Sequence, residues 1–398
     1  MRRFINICML TLFVSLSLQG LYAQSKAPEE YKISHGPYLQ NLTSEGVVIS
    51  FATSKAGMSY VEVREKGSTK AIKHETLKDG LRMTHITHNN IWVDGLQPGK
   101  EYEYRIVSKK TELYKPYDIR FGEEISSKWY SFKTFDTASE EFVFVATSDI
   151  HDDAAKSEAL LSKQPLDEAE AVFLIGDIVC DISSVGQAYK GIIDPATKLF
   201  AKNKPMVLAR GNHEVRGYHS RELDDYFVKP DGKYYSLQRY GKTAVLILDS
   251  GEDKADNSKV FNGVKALEKY IDEEIEWIRQ AVRSKAWRGA AHRIVMIHIP
   301  PASQPMTEIE NLNKILCWGS KRWGEKALDI FNDAKIDLMI SGHTHRYFFI
   351  PEHKGEQNYP LIINDNRSAM TVRVGKDGIS VKVTNLDGKV LLDEHFDD

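Results

Sequence analysis

Five short polar clusters punctuate the 398-residue chain, each directly after a brief apolar run: Ser148-Asp149-Ile150-His151, Gly176-Asp177, Arg210-Gly211-Asn212-His213-Glu214, His298, and Gly342-His343-Thr344-His345. Carboxylate, amide and imidazole groups at the edge of a core are the donors that hold divalent metal ions. Seven of them, Asp149, His151, Asp177, Asn212, His298, His343 and His345, are enough for two ions. Asp177 has two carboxylate oxygens and can bridge ions about 3.5–4 Å apart, the spacing at which two-metal hydrolytic sites work. One ion would then take Asp149, His151 and His345, and the other Asn212, His298 and His343. Positions on both stay open for water and substrate. Two divalent ions set against two carboxylates and a hydroxide leave about one net positive charge, which attracts an anionic ester.

The runs before these clusters read as strands. Residues 142–147, 171–175, 206–209, 244–248, 293–297 and 337–340 are short and nearly unbroken apolar stretches, the pattern of strands covered on both faces. Helical stretches lie between them. The clearest is 264–282, where Val264, Leu267, Ile271, Ile275, Ile278 and Val282 recur every three or four residues. Alternating strand and helix predicts an α/β region whose strands deliver their carboxyl ends to one crevice. Glycines 176, 211 and 342 fit tight turns beside the ligands. The long stretch 300–324, with Trp318, Lys321 and Trp323, predicts a rim over the site. The charged run 252–259 reads as a solvated loop, and 360–396 returns to short strands joined by turns at 375–378 and 386–388. Upstream, 46–51, 59–63, 84–87, 102–107 and 129–134 alternate apolar and polar residues and predict an all-β sandwich without helices, ended by a polar hinge at 136–141.

In this order the five clusters resemble the calcineurin-like metallophosphoesterases, from about residue 141 to the C-terminus. With the sandwich included, the chain is similar to the purple acid phosphatase group, and the stretch from Leu96 to Tyr104 resembles the fibronectin type III turn that carries a corner tyrosine. The resemblance implies a fibronectin-like domain over 30–135 and a catalytic αββα domain over 141–398, with two mixed sheets between outer helices. It implies two divalent ions (Fe, Zn or Mn) and hydrolysis of phosphate monoesters by in-line attack of a metal-activated hydroxide. Asp177 and His213 are the catalytic residues it points to, His213 being the imidazole that steadies the phosphoryl group and protonates the leaving alkoxide. Asn212, His213 and Arg216 are the candidates for substrate contact, with Glu214 and His219 close by. The chain departs from purple acid phosphatases at Cys180, where that group has an iron-binding tyrosine. His151 takes the tyrosine's place, or Cys180 supplies a thiolate instead; on the first reading no purple colour and a near-neutral or alkaline optimum are expected. A phosphodiesterase or nucleotidase would use the same centre. A cell-surface binding protein with a degenerate phosphoesterase part is the reading of another class, and the complete donor set argues against it.

A formal net charge of −3, with 42% hydrophobic and 27% charged residues, is that of a soluble globular protein and offers phosphate backbones no general attraction. The expected partner is a small phosphate ester and not nucleic acid. Three cysteines supply no disulfide framework. Arg2 and Arg3, an apolar run over 5–18 and a small residue at Ala23 predict a secretory signal over 1–23. The apolar run is shorter than the roughly 20 residues of a membrane span. A secreted or periplasmic protein with no stable membrane span after cleavage is therefore expected.

Overall fold

The computed structural model describes residues 30–397, so the expected signal lies outside the described residues. Alternation within single strands decides how the α/β region is layered. In Phe142–Thr147, Phe144 and Ala146 enter one buried cluster and Val145 another. In Ala171–Ile175, Phe173 and Ile175 fall on the first side, Val172 and Leu174 on the second. Successive residues of a strand face opposite ways, so both sides of this sheet are covered. The first side packs on a second sheet through Val245, Ile247, Ile294, Met296 and Ile340. The other side meets Leu160, Leu161 and Ala196 of the helices Ala154–Leu161 and Asp194–Leu199. The outer face of the second sheet is covered by the helices Leu267–Ala281 and Trp318–Asp333. This is the expected αββα arrangement, behind an N-terminal β-sandwich.

Both central sheets have six strands and both are mixed. In the first, Met206–Ala209, Ala171–Ile175 and Phe142–Thr147 run parallel, then Ser368–Gly375, Gly378–Asn385 and Val390–Phe396 join antiparallel. The second orders Ser236–Tyr240, Thr243–Ile247, His292–Met296, Leu338–Ser341, Leu361–Ile363 and Phe348–Ile350, parallel across its middle. Parallel strands put their following loops at one end of a sheet. That placement gathers the five polar clusters.

The local expectations fail where polarity or a distant partner misleads. The strand expected at 84–87 lies at His88–Val93, paired with Val47–Thr53. Its paired asparagines look like a turn, yet Asn89 is buried and Asn90 accepts the Ser50 hydroxyl at 2.6 Å. The strand expected at 102–107 extends over Glu101–Lys115 and folds back as Asp118–Ser126, a polar hairpin the apolar pattern does not mark. The helix expected from 264 begins at Leu267, leaving Val264 65% exposed. Asp256 fixes that start by accepting the Leu267 and Glu268 amides at 3.0 and 2.9 Å, a cap brought from eleven residues upstream. In the stretch from Leu96 to Tyr104 the Tyr102 phenol accepts the Gln97 amide at 2.9 Å.

The sandwich and the α/β region share one core, in which Tyr240 stacks on Phe142 at 4.4 Å and meets Phe135 edge-on at 4.7 Å. The Leu39 amide donates to Ala201 at 2.8 Å and the Tyr104 hydroxyl to Lys202 at 2.8 Å. His88 sits in this junction, 2.6 Å from the Tyr189 hydroxyl and 3.3 Å from that of Tyr38, with Tyr226, His35 and Asn90 around it. Burial lowers its pKa to about 4. Between pH 6.5 and 4 the unfolded chain takes up a proton at this position and the folded one does not, so folding stability falls with pH by at most about 3 kcal/mol. Replacing His88 with Gln should flatten the decline of Tm between pH 6.5 and 4; an unchanged slope would remove His88 as its source.

Candidate metal centre

Each cluster hangs on the end of a central strand, and the backbone there is unusual. Asp149, His151, Asp177, His343 and His345 have φ between 53° and 74°, a left-handed region costly for non-glycine residues. Five of the seven expected donors thus sit on strained backbone. Gly176 also has positive φ, and a Cβ there would lie 2.5 Å from the His298 ring. A Cβ on Gly342 would lie 2.5 Å from Asp149 Oδ2. These two glycines leave room for the donors themselves.

The seven side chains converge. Asp149, His151 and His345 form one group, Asp177, His298 and His343 another, and His151, Asp177 and His213 a third between them; in each, one ligand atom per residue lies within 4.8 Å of the others. Asp177 Oδ2 lies 3.0 Å from His298 Nε2, and Asp149 Oδ1 3.4 Å from His345 Nε2. Asn212 Oδ1 joins the second group at 3.0 Å from His343 Nδ1. Asp177 belongs to the second and third groups, and the third reaches the first through their shared His151. Cys180 belongs to none: its thiol is exposed and its Sγ faces the His151 carbonyl at 3.5 Å.

The donor set fits divalent ions on two observations. His298 is fully buried and its Nδ1 donates to the Ile175 carbonyl at 2.7 Å, which turns Nε2 into the site, where it makes no hydrogen bond of sound geometry. The Nε2 atoms of His151 and His345 lie 2.9 Å apart, a distance that needs a cation or a proton between them. The electrostatics agree. Burial pushes the Asp149 carboxyl up to about 7, with Asp177 adding to the shift. At Asp177 burial also pushes up, but His298 outweighs it and holds the carboxyl well below the usual range. His298 is raised to about 10, since Asp177 and Asp149 overcome its burial, while burial lowers His151 to about 4 and His343 to about 3. Positive charge is favoured where the carboxylates converge, and the outer imidazoles stay neutral, the form that ligates metal.

His213, a member of the third group but not one of the seven expected donors, has its Nε2 3.8 Å from Asp177 Oδ2. Its Nδ1 lies 2.5 Å from the Cys180 carbonyl, which can only accept, so Nδ1 carries the proton. Arg216 approaches Nε2 at 3.0 Å and also pairs with Glu252 and Asp253. His219 pairs with Glu222 at 2.7 Å.

The sequence reading missed the residues that hold the loops. Glu214 is fully buried and does not meet substrate: its carboxylate accepts the amides of Asp177, Ile178 and Gly211 at 2.9, 2.8 and 2.9 Å, tying two clusters together. Glu252, assigned to a solvated loop, is also fully buried. Lys156 donates to the Asp149 carbonyl at 3.0 Å. Of the expected rim aromatics, Trp323 is a core residue, its indole N–H donating to the Ser250 carbonyl at 3.1 Å; Trp318 remains 37% exposed.

Fold and site define a metallophosphoesterase framework. The chain belongs to the calcineurin-like phosphoesterase family, which it matches over residues 142–347, and residues 36–134 match the purple acid phosphatase N-terminal domain. The serine/threonine-protein phosphatase CPPED1 of Homo sapiens is 25% identical over 194 residues, 48% of this chain and 55% of that protein. The protein of the same name from Rattus norvegicus is 23% identical over 201 residues, 50% of this chain and 58% of its own. The chain thus spans about half the length of the curated relatives it matches. Among solved structures, purple acid phosphatase PPD1 from yellow lupin (Lupinus luteus) is similar with TM-score 0.64 at 15% identity, covering 89% of this chain and 72% of that one. PhoD is similar with TM-score 0.58 at 14% identity, covering 92% and 94%. At these identities the structures speak for the fold alone.

Proposed function

We propose that the protein is a dinuclear metal-dependent phosphoesterase that hydrolyses phosphate monoesters. The convergence of seven donors from five separate segments carries this reading. Asp149, His151 and His345 would hold one divalent ion and Asn212, His298 and His343 the other, with Asp177 shared. Ions bound there supply Lewis acidity and a water of lowered pKa as nucleophile. The chain's own residues do the rest. Asn212, His213 and Arg216 lie on the loop that meets an incoming phosphoryl group. His213, anchored through Nδ1 on the Cys180 carbonyl, turns Nε2 toward the site and protonates the departing alkoxide. Two N–H donors cannot face each other, so this delivery requires the contact with Arg216 to yield as the ester enters.

The name of the CPPED1 relatives supports a monoester, since phosphoserine and phosphothreonine are monoesters. The sandwich is read as a fibronectin-like domain over 30–135 that supports the catalytic domain over 141–398. Residues 1–23 support export to the periplasm or medium, and no helix among the described residues is long and apolar enough to cross a membrane. Nitrophenyl phosphate and bis-nitrophenyl phosphate separate the classes: the monoester should be hydrolysed with at least tenfold higher kcat/KM. A preference for the diester would move the reading to phosphodiesterases.

A further inference from the structure

We propose that Arg216 is a positioning residue, which presets the His213 imidazole in the ester-free site from the carboxylates of buried Glu252 and part-buried Asp253, releases Nε2 as the ester enters, and does not itself anchor the substrate phosphoryl group. The inference rests on the reading above, in which His213 meets the substrate. Arg216 follows the third cluster and would, as a free cation near a phosphate site, be an obvious anion anchor. Its guanidinium is not free. Nε lies 3.2 and 3.3 Å from the two Glu252 oxygens, and Nη2 lies 2.9 Å from both Glu252 Oε2 and Asp253 Oδ1. Lys265 Nζ reaches the same Glu252 at 3.3 Å and also the Val215 carbonyl. Lys254 also pairs with Asp253, at 2.8 Å, so three cations face two carboxylates; it is the direction of the guanidinium's donors, toward Glu252, Asp253 and His213, that leaves little of Arg216 for a dianionic ester. The remaining edge of the guanidinium is directed at His213, with Nη1 3.0 Å from Nε2.

The consequence is a bracket across the two sheets. His213 belongs to the loop after Met206–Ala209 in the first sheet, and Glu252 to the loop after Thr243–Ile247 in the second. The second loop is itself fixed, because the Ser250 carbonyl accepts both Arg322 Nη2 at 2.8 Å and the Trp323 indole at 3.1 Å. Arg216 is thus held by Glu252 and Asp253 and holds one side of the imidazole in the ester-free site, while the Cys180 carbonyl holds the other. Its backbone N–H also donates to the His213 carbonyl at 3.1 Å, so ring and loop are set together. Only a planar guanidinium can reach two carboxylates and an imidazole at once; an ammonium is a single point of charge.

The test is steady-state kinetics of the metal-loaded full chain with an alkyl phosphate monoester, and inorganic phosphate as competitive inhibitor. The His213→Ala enzyme is measured first, then Arg216→Gln and Arg216→Lys in the parent and in the His213→Ala background. In the parent, both Arg216 variants should lose about 10- to 100-fold in kcat, the scale of a misplaced reacting group. KM and the inhibition constant of phosphate should stay within about threefold, for a residue that sets geometry without binding the ester. In the His213→Ala background the same substitutions should change kcat by less than about twofold, since interacting residues are non-additive. An equal loss in both backgrounds overturns the proposal in favour of general loop support. A tenfold rise in KM and in the phosphate inhibition constant, restored by Arg216→Lys, overturns it in favour of a phosphoryl anchor. If His213→Ala is as fast as the parent, the role of His213 fails first and separately.

Discussion

Asp177→Asn should fold normally, bind fewer than two divalent ions per chain, and lose at least about 10³-fold in turnover. Asparagine keeps the shape at this position. Its amide oxygen can still accept the His213 amide, as Asp177 Oδ1 does at 2.8 Å, and its amide nitrogen can face His298 Nε2, 3.0 Å away from the present Oδ2. What disappears is a negative charge shared between two groups of donors. In the metal-free protein His298 holds Asp177 charged, so the neutral asparagine leaves that buried imidazole without its ion-pair partner, and Tm should fall while the fold is kept. Metal content by elemental analysis, circular dichroism and nitrophenyl phosphate turnover check the three parts. A folded variant that keeps two ions and activity within tenfold of the parent would remove Asp177 from the bridging position.

His213→Asn should be selective in its damage. Alkyl monoesters leave as strongly basic alkoxides and need a proton; nitrophenolate leaves without one. The variant should therefore slow alkyl phosphates by about 10²- to 10³-fold and nitrophenyl phosphate by less than about tenfold, with metal content unchanged. The position explains why the second loss is small. His213 is not one of the seven expected donors, and its Nδ1 is spent on the Cys180 carbonyl. Equal losses on both ester classes would remove His213 from the acid role and leave it only as a group that steadies the phosphoryl oxygens.

The site was legible in the sequence because its donors are local in kind and global in place. Strand ends such as Ile175 and Ala209 are marked by apolar runs that match the observed Ala171–Ile175 and Met206–Ala209 residue for residue, and the polar clusters follow at once. Convergence then follows from parallel topology. Contacts that depend on distant partners were not legible. Glu214 carries the signature of an exposed charge, and only the amides of Asp177 and Ile178, more than thirty residues earlier, make it a buried brace. Glu252 sits in a run rich in charge, and its burial depends on Arg216 and Lys265. The same limit hid the Asp256 cap that starts the Leu267–Ala281 helix. A sequence pattern reports what a residue offers to its neighbours along the chain; it does not report which remote backbone amide or guanidinium will use it.

The central claim is that the two donor groups joined by Asp177 hold two ions that make a phosphoesterase. Titrating the chelator-treated full chain with a divalent transition metal, while following bound metal and nitrophenyl phosphate turnover together, tests it most directly. The account predicts saturation at two ions per chain, with turnover rising in step with the second. Saturation below two ions with no turnover at any metal load would contradict it and leave a binding protein built on a phosphoesterase fold.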